Sequence, residues 1–122
     1  MSDHDTLIDR YIACWNEADA SRRARLVAET FAADASYIDP LMRGEGQAGI
    51  AAMIGAAQAH FPGHRFTRRG GVDAHNGKLR FAWDLAPASA PPVAAGTDFA
   101  SLAPDGKLAQ VTGFPDAVVK GV

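Results

Sequence analysis

The sequence predicts an α+β fold, with helices gathered in the first half of the chain and an antiparallel sheet in the second. Three observations carry that expectation. Apolar residues up to Phe61 recur at steps of three and four, whereas beyond it they alternate with polar ones. Asn76-Gly77 is a two-residue hairpin turn between two alternating runs. Helical segments followed by hairpins, rather than interleaved with strands, place the chain among α+β folds. At 122 residues the length suits one domain, 1–122, with one core.

The elements follow in order. Leu7, Ile8, Tyr11, Ile12 and Trp15 share one face of a first helix, with Asp3 or Asp5 as its cap. A second helix starts near Asp19 or Ser21; Leu26, Val27, Thr30 and Phe31 point inward, while Arg22, Arg23, Arg25 and Glu29 form a solvated face. Ala35 to Asp39 reads as a short strand that Pro40 halts, because proline has no amide hydrogen to continue a ladder. A third helix runs from about Gln47 to Phe61, carrying Ile50, Met53, Ile54 and Ala57 inward, and Pro62-Gly63 stops it. The hairpin strands are Arg65 to Val72 and Lys78 to Leu85. In the second, Leu79, Phe81, Trp83 and Leu85 alternate with Arg80, Ala82 and Asp84. Pro87 to Pro92 is a loop, Val93 to Leu102 a strand, Ala103-Pro104-Asp105-Gly106 a turn, and Leu108 to Phe114 the last strand.

Composition narrows the function classes. Hydrophobic residues are 48% and charged residues 21%, and the net charge of −2 supplies no field for nucleic acid or an anionic membrane. A single cysteine, Cys14, allows no intrachain disulfide and no thiolate metal cluster. The expected setting is cytoplasmic, since the polar start Met1 to Asp5 is unlike a secretory signal and no apolar run has membrane-spanning length.

Several motifs have plainer explanations than their chemistry suggests. Gly44-Glu45-Gly46-Gln47-Ala48-Gly49 matches a dinucleotide fingerprint, but that fold needs parallel strands with crossover helices, and Glu45 would face a pyrophosphate. Glycines easing a turn into the third helix account for it better. His60 and His64 have metal-pair spacing, yet Pro62-Gly63 lies between them; His4 and His75 read as terminal and loop residues. Cys14 beside Trp15 reads as a small core residue, and Arg68-Arg69-Gly70-Gly71 as an exposed strand end. No organic cofactor or metal is expected.

Three polar residues stand where the pattern calls for apolar ones. Tyr11 lies on the buried helix stripe, Asp39 ends a strand, and Asp98 sits inside Ala95 to Ala100 although aspartate is depleted in strands. Each also has a structural reading: a core tyrosine bonded to a carbonyl, a turn aspartate, and an aspartate on an exposed sheet face.

The runs Asp9-Arg10-Tyr11-Ile12-Ala13-Cys14-Trp15-Asn16, Ala35-Ser36-Tyr37-Ile38-Asp39-Pro40, Gly96-Thr97-Asp98-Phe99 and Asp105-Gly106-Lys107 resemble the nuclear-transport-factor-2-like superfamily. Within it the chain is similar to the SnoaL-like polyketide cyclases and the ketosteroid isomerases. The resemblance covers about Leu7 to Asp116. It implies a cone-shaped domain around one apolar pocket, a homodimer paired through the outer sheet face, and a small hydrophobic ligand or substrate. By position it makes Asp39 the proton-shuttling base, and Tyr11 and Asp98 the donors that stabilise an enolate. Trp15, Met53, Trp83 and Phe99 are the expected pocket lining. The stretch between Tyr11 and Asp39 is about one helical turn longer than in the isomerases, which favours the SnoaL-like branch. The rival expectation is a non-catalytic ligand-binding or interaction module of the same fold. Epoxide hydrolysis would need a water-positioning carboxylate set that is incomplete here.

Overall fold

The structure, a computed structural model, describes residues 3–116. Three helices, α1 (Asp3–Asn16), α2 (Ala20–Thr30) and α3 (Gly46–His60), pack on one curved six-stranded sheet. Its strands are β1 (Phe31–Ile38), β2 (Arg43–Glu45), β3 (His64–His75), β4 (Lys78–Pro87), β5 (Ala94–Leu102) and β6 (Leu108–Pro115). The order across the sheet is β2-β1-β6-β5-β4-β3, antiparallel throughout except for the β1–β6 pair. Register shifts in the β1–β6, β3–β4 and β5–β6 ladders supply the bulges by which a sheet bends around its contents.

Local chemistry explains most boundaries. Asp19 caps α2 by accepting the Arg22 amide at 2.9 Å. Asp3 and Asp5 lie inside the first turn of α1 rather than at its cap, where their charges favour the positive end of the helix; the cap itself lies outside the described residues. Phe31 is the first residue of β1, so the helical stripe expected to include it ends at Thr30. That strand begins four residues before Ala35, because pairing with β6 overrides the weak strand preference of Ala32-Ala33-Asp34. β2, with three residues, is too short to show alternation, and no expectation included it. Gly44 lets β2 approach α3: a Cβ there would lie 3.1 Å from the Gly49 carbonyl oxygen. The glycine run therefore joins an antiparallel hairpin to a helix and has no nucleotide-fold geometry around it.

The core fills the space between helices and sheet. Ile8, Val27, Phe31, Ile50, Ile54, Leu108 and Val111 are fully enclosed, each burial contributing about 1.5–3 kcal/mol. Cys14 is among them; its thiol lies 3.7 Å from Thr30 Oγ1 and burial pushes its pKa up to about 11, as suits an unreactive core residue. Arg68 and Arg69 pair with Asp9 and Asp84 at 2.7 and 2.8 Å, so neither is a free cationic contact. No described helix is long and apolar enough to cross a membrane.

Candidate functional site

One end of the core stays open as a cavity of about 100 Å³ between α1, α3 and the sheet. Ile12 and Trp15 of α1, Ala57 of α3, Phe66 of β3 and Leu85 of β4 form its walls. Leu41, Met42 and Phe61 also line it, Leu41 being 76% exposed at its lip. Trp15 meets Tyr37 and Phe66 at ring separations of 5.3 and 5.4 Å, and Phe66 meets Trp83 at 5.5 Å, so much of the lining is aromatic.

Four polar side chains also line the cavity: Tyr11, Tyr37, Asp39 and Asp98. Asp98 lies on the inward face of β5 with only 3% of its surface exposed. Tyr11 sits on the buried stripe of α1 and donates its hydroxyl to Asp98 Oδ2 at 2.6 Å. The Trp83 indole donates to Asp98 Oδ1 at 2.9 Å. Gly96 makes this contact feasible, since a Cβ there would lie 2.5 Å from the Trp83 ring.

Asp39 is built differently. Pro40 ends β1, and the turn that follows is tied by Asp39 Oδ1, which accepts the Leu41 and Met42 amides at 2.8 and 2.9 Å. Its other oxygen accepts the Tyr37 hydroxyl at 2.7 Å. Gly113 on β6 separates the two groups: a Cβ there would lie 2.9 Å from Tyr37 Oη, 3.1 Å from Asp98 Oδ1 and 3.2 Å from Asp39 Cβ. Tyr37, Asp39 and Asp98 thus pack directly against the Gly113 backbone, an approach that any side chain there would obstruct.

Electrostatics follow from burial. Asp98 is pushed up to about 6, first because the enclosed carboxylate loses its hydration; the Tyr11 and Trp83 hydrogen bonds hold it down and the Asp39 charge adds to the rise. Both phenols are displaced far upward, chiefly by burial and then by the negative charge of Asp98, so neither ionises near neutrality. The Trp15 indole N–H, close to Tyr11 but without hydrogen-bond geometry, opposes that rise and is left without a partner.

The structure therefore brings Tyr11, Asp39 and Asp98 together at one cavity, with Trp15 and Trp83 in its wall. Two expected lining residues are elsewhere. Met53 belongs to the helix-side core and does not line the cavity. Phe99 faces outward, 44% exposed, edge-to-face with Phe114 at 5.6 Å, because it follows Asp98 directly and adjacent strand residues face opposite ways. Tyr37 was not among the expected site residues; the signal for it was its position two before Asp39. Among the described residues no group of three or more His, Cys, Asp or Glu side chains is placed to hold a metal ion.

Comparison with known proteins agrees with this architecture. Residues 8–111 match the SnoaL-like domain family. A proposed isomerase of the SnoaL-like family from Agrobacterium tumefaciens is 47% identical over 96% of this chain and 100% of its own, with a TM-score of 0.91. A proposed polyketide cyclase from Sinorhizobium meliloti is 20% identical over 89% of this chain and 94% of its own, TM-score 0.68. A nuclear-transport-factor-2-like protein of unknown function from Exiguobacterium is also 20% identical, over 91% and 98%, TM-score 0.67; these last two likenesses bear on the fold alone. No curated protein sequence matches the chain. With the matched family spanning most of its length and a close relative covering nearly all of it, this chain belongs to the SnoaL-like family, on the nuclear-transport-factor-2-like fold.

Proposed function

We propose that the protein is a cofactor-independent proton-transfer catalyst, of the isomerase or cyclase kind, acting on a small apolar molecule held in this cavity. The observation that carries the reading is the Asp98 carboxyl: enclosed, at a mostly apolar cavity, and balanced near pH 6 where it can both take and return a proton. The resemblance made Asp39 the base. Burial favours Asp98 instead: its carboxyl is enclosed within the fold and pushed up to about 6, whereas Asp39 is half-buried and its carboxylate ties its own turn.

In the proposed cycle an Asp98 oxygen removes a proton from carbon next to a carbonyl. The C–H electron pair moves into a C=C bond, the carbonyl oxygen takes the negative charge, and the proton returns from Asp98 to a second carbon. Electrons are conserved and one proton is exchanged. Tyr11 and Trp83 touch Asp98 rather than the substrate in this arrangement, so they act as positioning residues that set its basicity.

The test is deuterium exchange and double-bond migration of a β,γ-unsaturated cyclic ketone in D2O. Asp98→Asn should lower the rate at least about 100-fold, and Asp39→Asn less than about 10-fold. Equal tolerance of both changes would sink the assignment. One observation favours a second reading, a non-catalytic ligand-binding module: Tyr11, Asp39 and Asp98 all have partners within the protein. That reading expects saturable ligand binding in wild type and no exchange with any enolisable ketone. We also propose that two copies pair through the outer sheet face, where Phe99 and Phe114 are 44% and 54% exposed.

A further inference from the structure

We propose that the protein has a second ligand site, a cavity of about 440 Å³ where the C-terminal ends of α1 and α3 meet the start of α2. It takes a small organic acid, with the carboxylate at the Arg23 guanidinium and the apolar body against Phe61 and Phe66. The volume is within the range of small-molecule sites, roughly 300–1,000 Å³. Trp15, Ala57, Phe66 and Leu85 line this cavity and the one that holds Asp98, so the two are neighbours across a shared wall. The proposal goes beyond the Asp98 cavity and rests on none of its chemistry.

Arg23 carries the argument. Of the three arginines of α2, Arg22 and Arg25 are exposed, whereas Arg23, expected on the solvated face, turns inward and is half-buried. Its Nη1 donates to the Glu17 and Ala18 carbonyls at 2.9 and 3.4 Å and to Gln58 Oε1 at 3.1 Å. All three acceptors are neutral. No carboxylate among the described residues pairs with the guanidinium, and its Nε is enclosed without a hydrogen-bond partner. A half-buried cation with neutral partners has lost hydration and gained no counter-charge, so an anion beside it is stabilised. Gly55 makes the room: a Cβ there would lie 2.7 Å from Arg23 Nη2 and 3.3 Å from its Cζ. Glycine inside a helix is less favourable than alanine, so α3 gives up some stability to seat the guanidinium.

The rest of the wall selects the kind of anion. No lining residue is acidic. Gln58 gives its amide to the Trp15 and Glu17 carbonyls and its oxygen to Arg23, and the Asn16 side chain bonds both polar groups of the Phe66 backbone. His64 Nδ1 lies 3.0 Å from the Pro62 carbonyl oxygen. Arg23 Nη2, whose hydrogens have no acceptor among the described residues, is the donor left over. A carboxylate meets it with a charge-assisted hydrogen bond, which a neutral amide of the same shape does not match. Ala59, Phe61, Phe66 and Leu85 add an apolar surface that a bare inorganic anion would leave uncovered.

The experiment titrates the full chain at pH 7 with cyclohexanecarboxylate and with cyclohexanecarboxamide, while NMR follows the Arg23 Nε–H and the Trp83 indole N–H. The carboxylate is expected to bind saturably, to move the Arg23 signal, and to bind at least about tenfold tighter than the amide. Arg23→Met, which keeps an apolar stem and removes the charge, should reduce that preference to less than about twofold. Gly55→Ala decides the matter if Arg23→Met does not fold: alanine favours the helix, and its Cβ displaces Nη2, so carboxylate affinity should fall at least about threefold. Equal affinity for the two probes, a preference that survives in Arg23→Met, unchanged affinity in Gly55→Ala, or no saturable binding overturns the proposal. So does a carboxylate titration that moves the Trp83 signal and leaves that of Arg23 in place, which would put the probe in the Asp98 cavity and leave the reading of that cavity standing.

Discussion

The two aspartates that line the cavity have opposite supports. Asp98 rises from a strand interior and is held by two side chains, Tyr11 and Trp83, from α1 and β4. Asp39 belongs to a turn and is held by two backbone amides of that turn and by a tyrosine two residues away. All the partners of Asp39 are within three residues of it, whereas those of Asp98 come from 87 and 15 residues away. The contrast separates a carboxylate that shapes its own loop from one that the whole fold positions and desolvates. Burial lifts the proton affinity of the second, and lifting it has a stability cost.

The largest test of this contrast is Asp98→Asn. The folded carboxyl holds its proton up to about pH 6, against an ordinary value of 3.8. Its contribution is therefore fully present below about pH 4 and is lost as pH rises through 6, a change of about 3 kcal/mol. The asparagine side chain of this variant has no charge to desolvate, can accept from Trp83 and can donate to the Tyr11 oxygen. Urea unfolding at pH 8 should show the variant more stable than wild type by about 1–3 kcal/mol, while proton transfer is lost. A destabilised variant at that pH would mean that the hydrogen bonds outweigh desolvation.

Asp39→Ala should destabilise by about 1–3 kcal/mol, since it strips acceptors from two turn amides and Tyr37. Asp39→Asn, which keeps a turn acceptor, should cost under about 1 kcal/mol. If the two behave alike, the turn is not what Asp39 supports. A smaller effect is expected from Tyr11→Phe, read by carboxyl-carbon NMR: removing a hydrogen bond that favours the charged form should move the Asp98 titration upward from about 6. A downward movement would reverse the assigned cause. The smallest effect within one chain belongs to Phe99→Ser, on the opposite face. Monomer stability should change by about 0.5 kcal/mol or less and the site titration not at all, while light scattering should show a shift toward monomer if the outer face pairs.

How much was legible follows from these same residues. Helix stripes and the Asn76-Gly77 hairpin gave the α+β class directly, because their signals are local. Asp98 could be singled out since a strand aspartate amid small apolar residues violates its local pattern. The same alternation, applied one residue further, would have sent Phe99 to the outer face. Tyr37 escaped notice because a tyrosine in a strand breaks no pattern. The close packing at Gly113 was not legible at all: a glycine near a strand end looks the same whether it faces solvent or a tyrosine hydroxyl and an aspartate from distant segments.

The β1–β6 pairing has a kinetic consequence. It is the one parallel contact among the described strands and joins Tyr37 to Val111, closing a long loop through α3 and the consecutive antiparallel strands β3 to β6. Loop-closure entropy makes such a contact late and slow relative to local hairpins. Tyr37 and Asp39 sit on or beside one of these strands and Gly113 on the other, so their close approach does not exist until β1 and β6 have met. A probe that senses that approach during refolding would report the final docking step, lagging behind β3–β4 hairpin formation, and amides of β6 should exchange with solvent through a local opening that leaves the hairpin intact.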